Sequence, residues 1–181
     1  MGFRTLEISQ SRGLSILGTE KLEPLLKYLI DIDVENVDYY EALAAKEYFS
    51  LYHEGLNRRV DDPVNSRLNY GYAVVRCAIA RKLVSTGFHP TFGIHHDSQL
   101  NDFNLADDLI EPYRAMVDLV VHENIGSNLK LTKTERQNIA HVLHNACMID
   151  GKKVNLLSSI DITIESLKRI ILEESMEGIT E

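Results

Sequence analysis

The sequence predicts an all-α fold, a single domain of about six helices. Three observations predict it. Apolar residues recur at three- and four-residue spacing through most of the chain, residues that start or stop helices punctuate those stretches, and no alternation of apolar and polar residues outlasts a few positions. At 181 residues the chain is long enough to bury a substantial core in one domain, and it carries no internal repeat.

Residues 1–18 lack a period, because Ser9, Ser11 and Gly13 interrupt it, and are read as irregular. The helical domain spans residues 19–172. Leu22, Leu25, Leu26, Leu29 and Ile30 mark a first helix, with Pro24 tolerable only in its first turn. Tyr40, Leu43, Ala44, Tyr48 and Leu51 mark a second, with Glu41 in its first turn. A charged linker through Arg58, Arg59, Asp61 and Asp62 leads to Pro63, which suits the first position of a third helix. That helix is the longest, from about Val64 to Thr86, along Leu68, Tyr72, Val75, Ile79 and Leu83, and Gly87 closes it. Gly71 inside it is unfavourable by about 1 kcal/mol relative to alanine, so a close neighbour is expected there. A fourth helix starts near Asn104 and continues through Val121, with Pro112 bending or opening it beside Glu111. Thr132 or Thr134 caps a fifth, which is expected to stop at Gly151. Val154 to Leu157 is ambiguous. Asp161 is expected to cap a last helix through Ile164, Leu167 and Ile171, before an acidic tail over residues 173–181.

The net charge of −8 argues against a general basic coat for nucleic acid, so any such contact must come from local patches or from another subunit. Cys77 and Cys147 are the only cysteines and show no metal-finger spacing, which fits buried thiols in a reducing compartment. No apolar run approaches the roughly 20 residues of a membrane span, so no membrane partner is expected and a cytoplasmic location is.

Chemistry concentrates between Gly87 and Asp118. A turn-rich connection carries His95 and His96, and the helix after it carries Asp107, Asp108 and Glu111 at three- and four-residue spacing, hence on one face. Imidazole with carboxylates suits Mn²⁺, Mg²⁺ or Zn²⁺, and an oxygen-rich set with a single histidine leans towards the harder ions. Adjacent histidines diverge in most backbone conformations, so at most one of His95 and His96 is expected to face a given metal and one of the two is read as structural. Glu41 reads equally as the third residue of a capping box from Asp38, and Glu111 as a solvated helix carboxylate. Arg58, Arg59, Arg67, Arg76 and Arg81 form the one arginine-rich region, either a phosphate track or a solvated face. His141 and His144 lack the glutamate of a zinc-protease helix, and no serine or glycine context suits a serine hydrolase or a nucleotide cradle.

Four stretches in order resemble a known family: Glu41-Ala-Leu-Ala-Ala-Lys-Glu-Tyr-Phe, Asn69-Tyr-Gly-Tyr-Ala, Gly93-Ile-His-His96, and Leu105-Ala-Asp-Asp-Leu-Ile-Glu111-Pro-Tyr-Arg114. Together they are similar to the universal CRISPR-associated integrase and endonuclease of spacer acquisition, and Asp102-Phe-Asn-Leu-Ala-Asp-Asp is similar to members from type II systems. The resemblance implies a helical C-terminal catalytic domain that holds Mn²⁺ or Mg²⁺ through Glu41, His96 rather than His95, and Glu111, with Asp108 one turn earlier in support. It implies DNA transesterification, in which a 3′-hydroxyl attacks a phosphodiester of the repeat array. Double-stranded DNA, a homodimer formed through a β-rich N-terminal domain, and a small CRISPR-associated bridging protein are the implied partners. Arg58, Arg59, Arg67 and Arg76 are then candidate DNA contacts. Too little sequence precedes Glu41 for the family's N-terminal domain, so a C-terminal fragment or truncated form is expected. A non-enzymatic helical interaction module is the alternative.

Overall fold

The computed structural model describes residues 43, 45–49, 52–53, 56–124 and 126–177, with the side chains of residues 174–177 left aside. The expected first helix, the start of the second and Glu41 lie outside the described residues; residues 43, 45–49 and 52 are helical. From residue 56 onward, the organising element is α1, Pro63–Thr86. Asp62 caps it by accepting the N–H groups of Val64 and Asn65, and Pro63 takes the first position, where a missing N–H leaves nothing unpaired. At the other end Gly87 adopts φ 96°, and the N–H groups of Gly87 and Phe88 close on Val84 and Leu83 carbonyls.

The apolar face of α1 is buried along Val64, Leu68, Tyr72, Val75, Ile79 and Leu83, and every later helix packs against it. The expected fourth helix is realised in three pieces: α2, Asn104–Ile110; a 3-10 turn, Glu111–Tyr113; and α3, Arg114–Glu123. Pro112 lies in the middle piece, where its missing donor and ring are accommodated by the tighter turn. Helix α4, Lys133–Ala140, opens on a full capping box between Thr132 and Glu135. A 3-10 turn, His141–His144, follows it, and α5 occupies Leu156–Glu177.

Between that turn and α5 the chain departs from expectation. The fifth helix does not run to Gly151. It ends at Ala140, and β1, Ala146–Ile149, pairs antiparallel with β2, Lys152–Asn155, Cys147 facing Val154 across the ladder. Asp150 and Gly151 both hold positive φ, 49° and 71°, so the Asp-Gly pair makes a two-residue hairpin turn instead of a helix stop. Asp161 is likewise not a cap; it is half exposed inside α5, near Lys82, and Asn155 accepts the Ser158 N–H at 2.7 Å at the true start. Helix α5 also continues beyond residue 172, where the acidic tail was expected to begin. The fold class holds nonetheless: apart from one short hairpin, the regular elements of the described chain are helices. None of the described helices is long and apolar enough to cross a membrane.

Gly71 sits where α1 meets α3 and α4. A methyl group there would collide with Val117 and press on Ile139, both fully buried. Valine at 117 is stiff at its branched carbon and cannot swing aside. Gly71→Ala is therefore expected to lose about 1–3 kcal/mol of stability to overpacking, outweighing a gain of about 1 kcal/mol in helix propensity. Urea unfolding measures this, and a stabilised variant would show that α3 does not seat at this turn.

Candidate functional site

The connection between α1 and α2 is held at both ends and in the middle. Leu105 N–H bonds the Pro90 carbonyl, and buried Asn104 donates to the Thr91 and Ser98 carbonyls, drawing the two arms together at the head of α2. Arg76 of α1 donates to Asn101 and pairs with Asp107 at 2.7 Å, with its guanidinium 4.8 Å from the centre of the Phe103 ring.

Asp108 shapes the part that carries the histidines. Its carboxylate accepts the N–H groups of Ile94, His95 and His96 at 2.5, 3.1 and 3.0 Å, and it meets His96 Nδ1 at 2.6 Å. Gly93 makes this wrap possible, since a side chain there would run into the His96 carbonyl and the Asp108 carboxylate. Burial opposes the charge on Asp108, but the bonds from His96 and the backbone outweigh it and hold the carboxyl below its usual range. In return the Asp108 hydrogen bond raises the His96 imidazole above its ordinary value, against partial desolvation. With Nδ1 engaged, Nε2 is the ring nitrogen available for a ligand or a proton. The His95 ring packs edge-on against that of His96, with centroids 5.4 Å apart and planes at 83°, so the two rings touch where the sequence suggests that they part.

Glu111 begins the 3-10 turn and is half exposed. Arg114 donates through Nε and Nη2, at 3.0 and 2.9 Å, to the same oxygen, Oε1. Each of these two groups is thus gripped from one side by a partner of complementary charge, which is how an outer shell orients a metal ligand. A groove of about 370 Å³ runs past His96, lined also by Asn69, Tyr72, Arg76, Asp107 and the Glu111 partner Arg114. Among the described residues no group of three or more histidine, cysteine or acidic side chains is close enough to hold a metal. Glu41, the remaining expected ligand, is outside that set. The donors that are described, a neutral-capable imidazole nitrogen and a carboxylate oxygen, fit a hard divalent ion.

The candidate DNA arginines fare unequally. Arg67 is corrected: it is fully buried, donating to the Pro63 and Asn128 carbonyls and pairing with Glu135, so it presents no surface to a phosphate. Thr132 N–H and then Arg67 hold Glu135 down at about 2. Arg58 is half-buried and committed to Asn65 and Asn69, Arg76 to Asp107, while Arg59 is exposed. Two participants escaped the sequence reading: Arg114 as the partner of Glu111, signalled by its three-residue spacing, and Asp118, a lone carboxylate in the apolar run Met116-Val-Asp-Leu-Val-Val121.

The described residues thus form a helical domain in which an oriented imidazole lines a partly cationic groove and a braced carboxylate stands on the 3-10 turn. The family model described as CRISPR associated protein Cas1 matches residues 18–150, and the chain belongs to that family. It is 40% identical over 139 residues to the CRISPR-associated endonuclease Cas1 of Neisseria meningitidis serogroup C, a match spanning 75% of this chain and 46% of that protein. It is 36% identical over 94 residues to a CRISPR-associated endonuclease Cas1 of Pyrobaculum aerophilum, across 49% of this chain and 31% of that one. The chain therefore spans less than half the length of these curated relatives. In fold it is similar to a casposase bound to integration product, with a TM-score of 0.64 and 21% identity over 86% of this chain and 58% of the other.

The His96–Asp108 pair has a definite pH signature. His96 is raised, so its contribution to stability is full below the ordinary value of about 6.5 and lost as pH rises through the folded value. Asp108 is lowered, so its contribution is present above the usual carboxylate range and lost as pH falls through the folded value. Asp108→Asn is expected to return the His96 titration, followed by NMR, towards that of a free imidazole and to speed amide exchange at residues 94–96. An unchanged titration would show that Asp108 does not govern the ring.

Proposed function

We propose that this chain is the catalytic domain of a divalent-metal-dependent DNA endonuclease and integrase that inserts short DNA segments into a CRISPR array. Mn²⁺ or Mg²⁺ would be held by Glu41, His96 and Glu111. The observation that supports this most is the matched bracing of the two described ligands, His96 by Asp108 through Nδ1 and Glu111 by Arg114 through Oε1, each with a donor atom to spare. When bound, the ion would neutralise charge at a scissile phosphate and acidify the attacking hydroxyl or water.

The chain's own residues would do the rest. In transesterification the 3′-hydroxyl gives up its proton to water as its oxygen forms a new bond to phosphorus, the old P–O bond breaks, and the departing oxygen takes a proton. His96, favoured in its protonated form by Asp108, can give that proton from Nε2, and in its neutral form can act as a ligand. Both roles require the orientation that Asp108 enforces. Arg114 and Arg76 line the same groove and can pair with phosphate oxygens. Double-stranded DNA is the partner, with a second copy of the chain and a small bridging protein completing the assembly in the cytoplasm.

Glu41→Ala, His96→Ala and Glu111→Ala are each expected to bring Mn²⁺-dependent cleavage of branched DNA to background, with His95→Ala retaining more. Loss in the opposite histidine order would mean that the other ring is the working one. Absence of Mn²⁺ binding and of cleavage in the unaltered chain, no different from Glu111→Ala, would favour a helical interaction module without a metal site.

By itself the chain should bind duplex DNA weakly, because a net charge of −8 opposes phosphate and Arg67 contributes nothing. Affinity should fall steeply between low and moderate salt, and light scattering should show a monomer or weak dimer. Tight, salt-resistant binding by a stable dimer would contradict this.

A further inference from the structure

Asp118 is a carboxylate 3% exposed in the middle of α3, and no step above uses it. Three tyrosines from two parts of the chain converge on it. Tyr72 of α1 donates to Oδ1 in a short bond, Tyr48 donates to Oδ2 at 2.8 Å, and Tyr52 donates to the Asp118 carbonyl at 2.6 Å. Ionised, the carboxylate can only accept, so both tyrosine hydroxyls on it must point inward, and the ring orientation of each is fixed.

The fixed ring of Tyr72 forms one wall of the groove that His96 lines. Arg114, one turn before Asp118 on the same face of α3, lays its guanidinium 5.0 Å from the centre of that ring while its Nε and Nη2 grip Glu111. Contact therefore passes without a gap from Asp118 to Tyr72, from Tyr72 to Arg114, and from Arg114 to Glu111. Tyr48 ties the helical residues that follow Glu41 in the sequence to the same carboxylate. A buried carboxylate serving stability alone would need its hydrogen bonds satisfied, but nothing would require those bonds to come from the residue that supports the Glu111 partner.

We propose that Asp118 is a positioning residue for the metal site, acting through Tyr72 on Arg114 and Glu111, with Tyr48 holding the carboxylate from the other side. The proposal rests on the reading of Glu41, His96 and Glu111 as ligands. It is tested by calorimetric titration of the full chain with Mn²⁺, alongside thermal unfolding. Tyr72→Phe keeps the ring under Arg114 and removes only the bond that fixes it, Tyr48→Phe does the same on the other side, and Asp118→Asn changes the acceptor. Each folded variant is expected to bind Mn²⁺ roughly 10- to 100-fold more weakly, the range seen when outer-shell partners of a metal ligand are removed. Ile164→Val, a conservative change at a fully buried residue of α5, serves as the control for lost stability and should leave the affinity unchanged.

Wild-type affinity in Tyr72→Phe and Tyr48→Phe, with binding abolished in Glu111→Ala, would overturn this proposal and leave the ligand assignment standing. Equal weakening in Ile164→Val would also overturn it, since the effect would then follow general stability. Unchanged binding in Glu111→Ala would overturn the ligand assignment and this proposal with it. If Asp118→Asn does not fold, the two phenylalanine variants decide the matter.

Discussion

The site depends on one carboxylate answering several donors at once. Asp108 accepts three successive backbone N–H groups and faces an imidazole, and hydrogen bonds to a charged group each contribute roughly 1.5–3 kcal/mol. Such a nest of donors forms only where the backbone curls tightly around the acceptor, and the absent side chain of Gly93 allows that curl. The carboxylate comes from α2 and the donors from the loop before it, so the loop's shape is set by the helix it precedes. The orientation of His96 follows as a consequence. A flexible loop carrying the same two histidines would bring neither to a defined place.

That device needs a firm base, and α1 supplies it through a contrast between its middle and its start. Near its middle the chain approaches so closely that only glycine fits, and Val117 and Ile139 seal the contact. Near its start the core accepts a fully buried arginine, because Pro63 and Asn128 carbonyls and the Glu135 carboxylate meet its two terminal nitrogens, although its Nε has no partner. Glu135 is also the capping-box residue of α4, so one carboxylate both starts a helix and neutralises a buried charge. Loss of Glu135 would leave the guanidinium buried without its counter-charge, a more serious defect than loss of a cap alone.

Local signals were legible where a single residue type dictates the backbone. Pro63 at a helix start, Gly87 at a stop, Thr132 with Glu135, and the opening at Pro112 all act within one turn, and all were read correctly. Gly71 was legible as a close contact but not as to its partner. The hairpin at Asp150-Gly151 was missed because its strands are only four residues each, too short for alternation to stand out from the helical pattern before them, so the glycine was taken for a helix stop. Asp161 was mistaken for a cap because Asn155, six residues earlier, sat in a segment with no clear period. Arg67 illustrates a harder limit: its partner Glu135 is 68 positions away, and nothing in a linear reading separates an arginine facing solvent from one facing a distant carboxylate. At the site Asp108 meets His96, a contact across twelve positions that no spacing in the sequence specifies, whereas Glu41 lies outside the described residues.

The same limit bears on how a chain of net charge −8 can meet a polyanion. Counting arginines in the sequence treats each as an independent phosphate partner. In the fold most are already answered: Arg67 by Glu135, Arg76 by Asp107, Arg114 by Glu111, and Arg58 by two asparagine oxygens and the face of the Phe49 ring. A phosphate entering the groove must compete with Asp107 for Arg76 and with Glu111 for Arg114. A cation engaged with Glu111 would weaken that carboxylate's hold on Arg114, because two positive partners share one negative charge, and the guanidinium would then be freer to turn towards the phosphate. Metal and phosphate would in this way favour each other's binding through a single arginine. Each would then need less intrinsic affinity than the acidic surface would otherwise demand, and under the proposed function a negatively charged chain could work on DNA through a narrow, locally compensated groove.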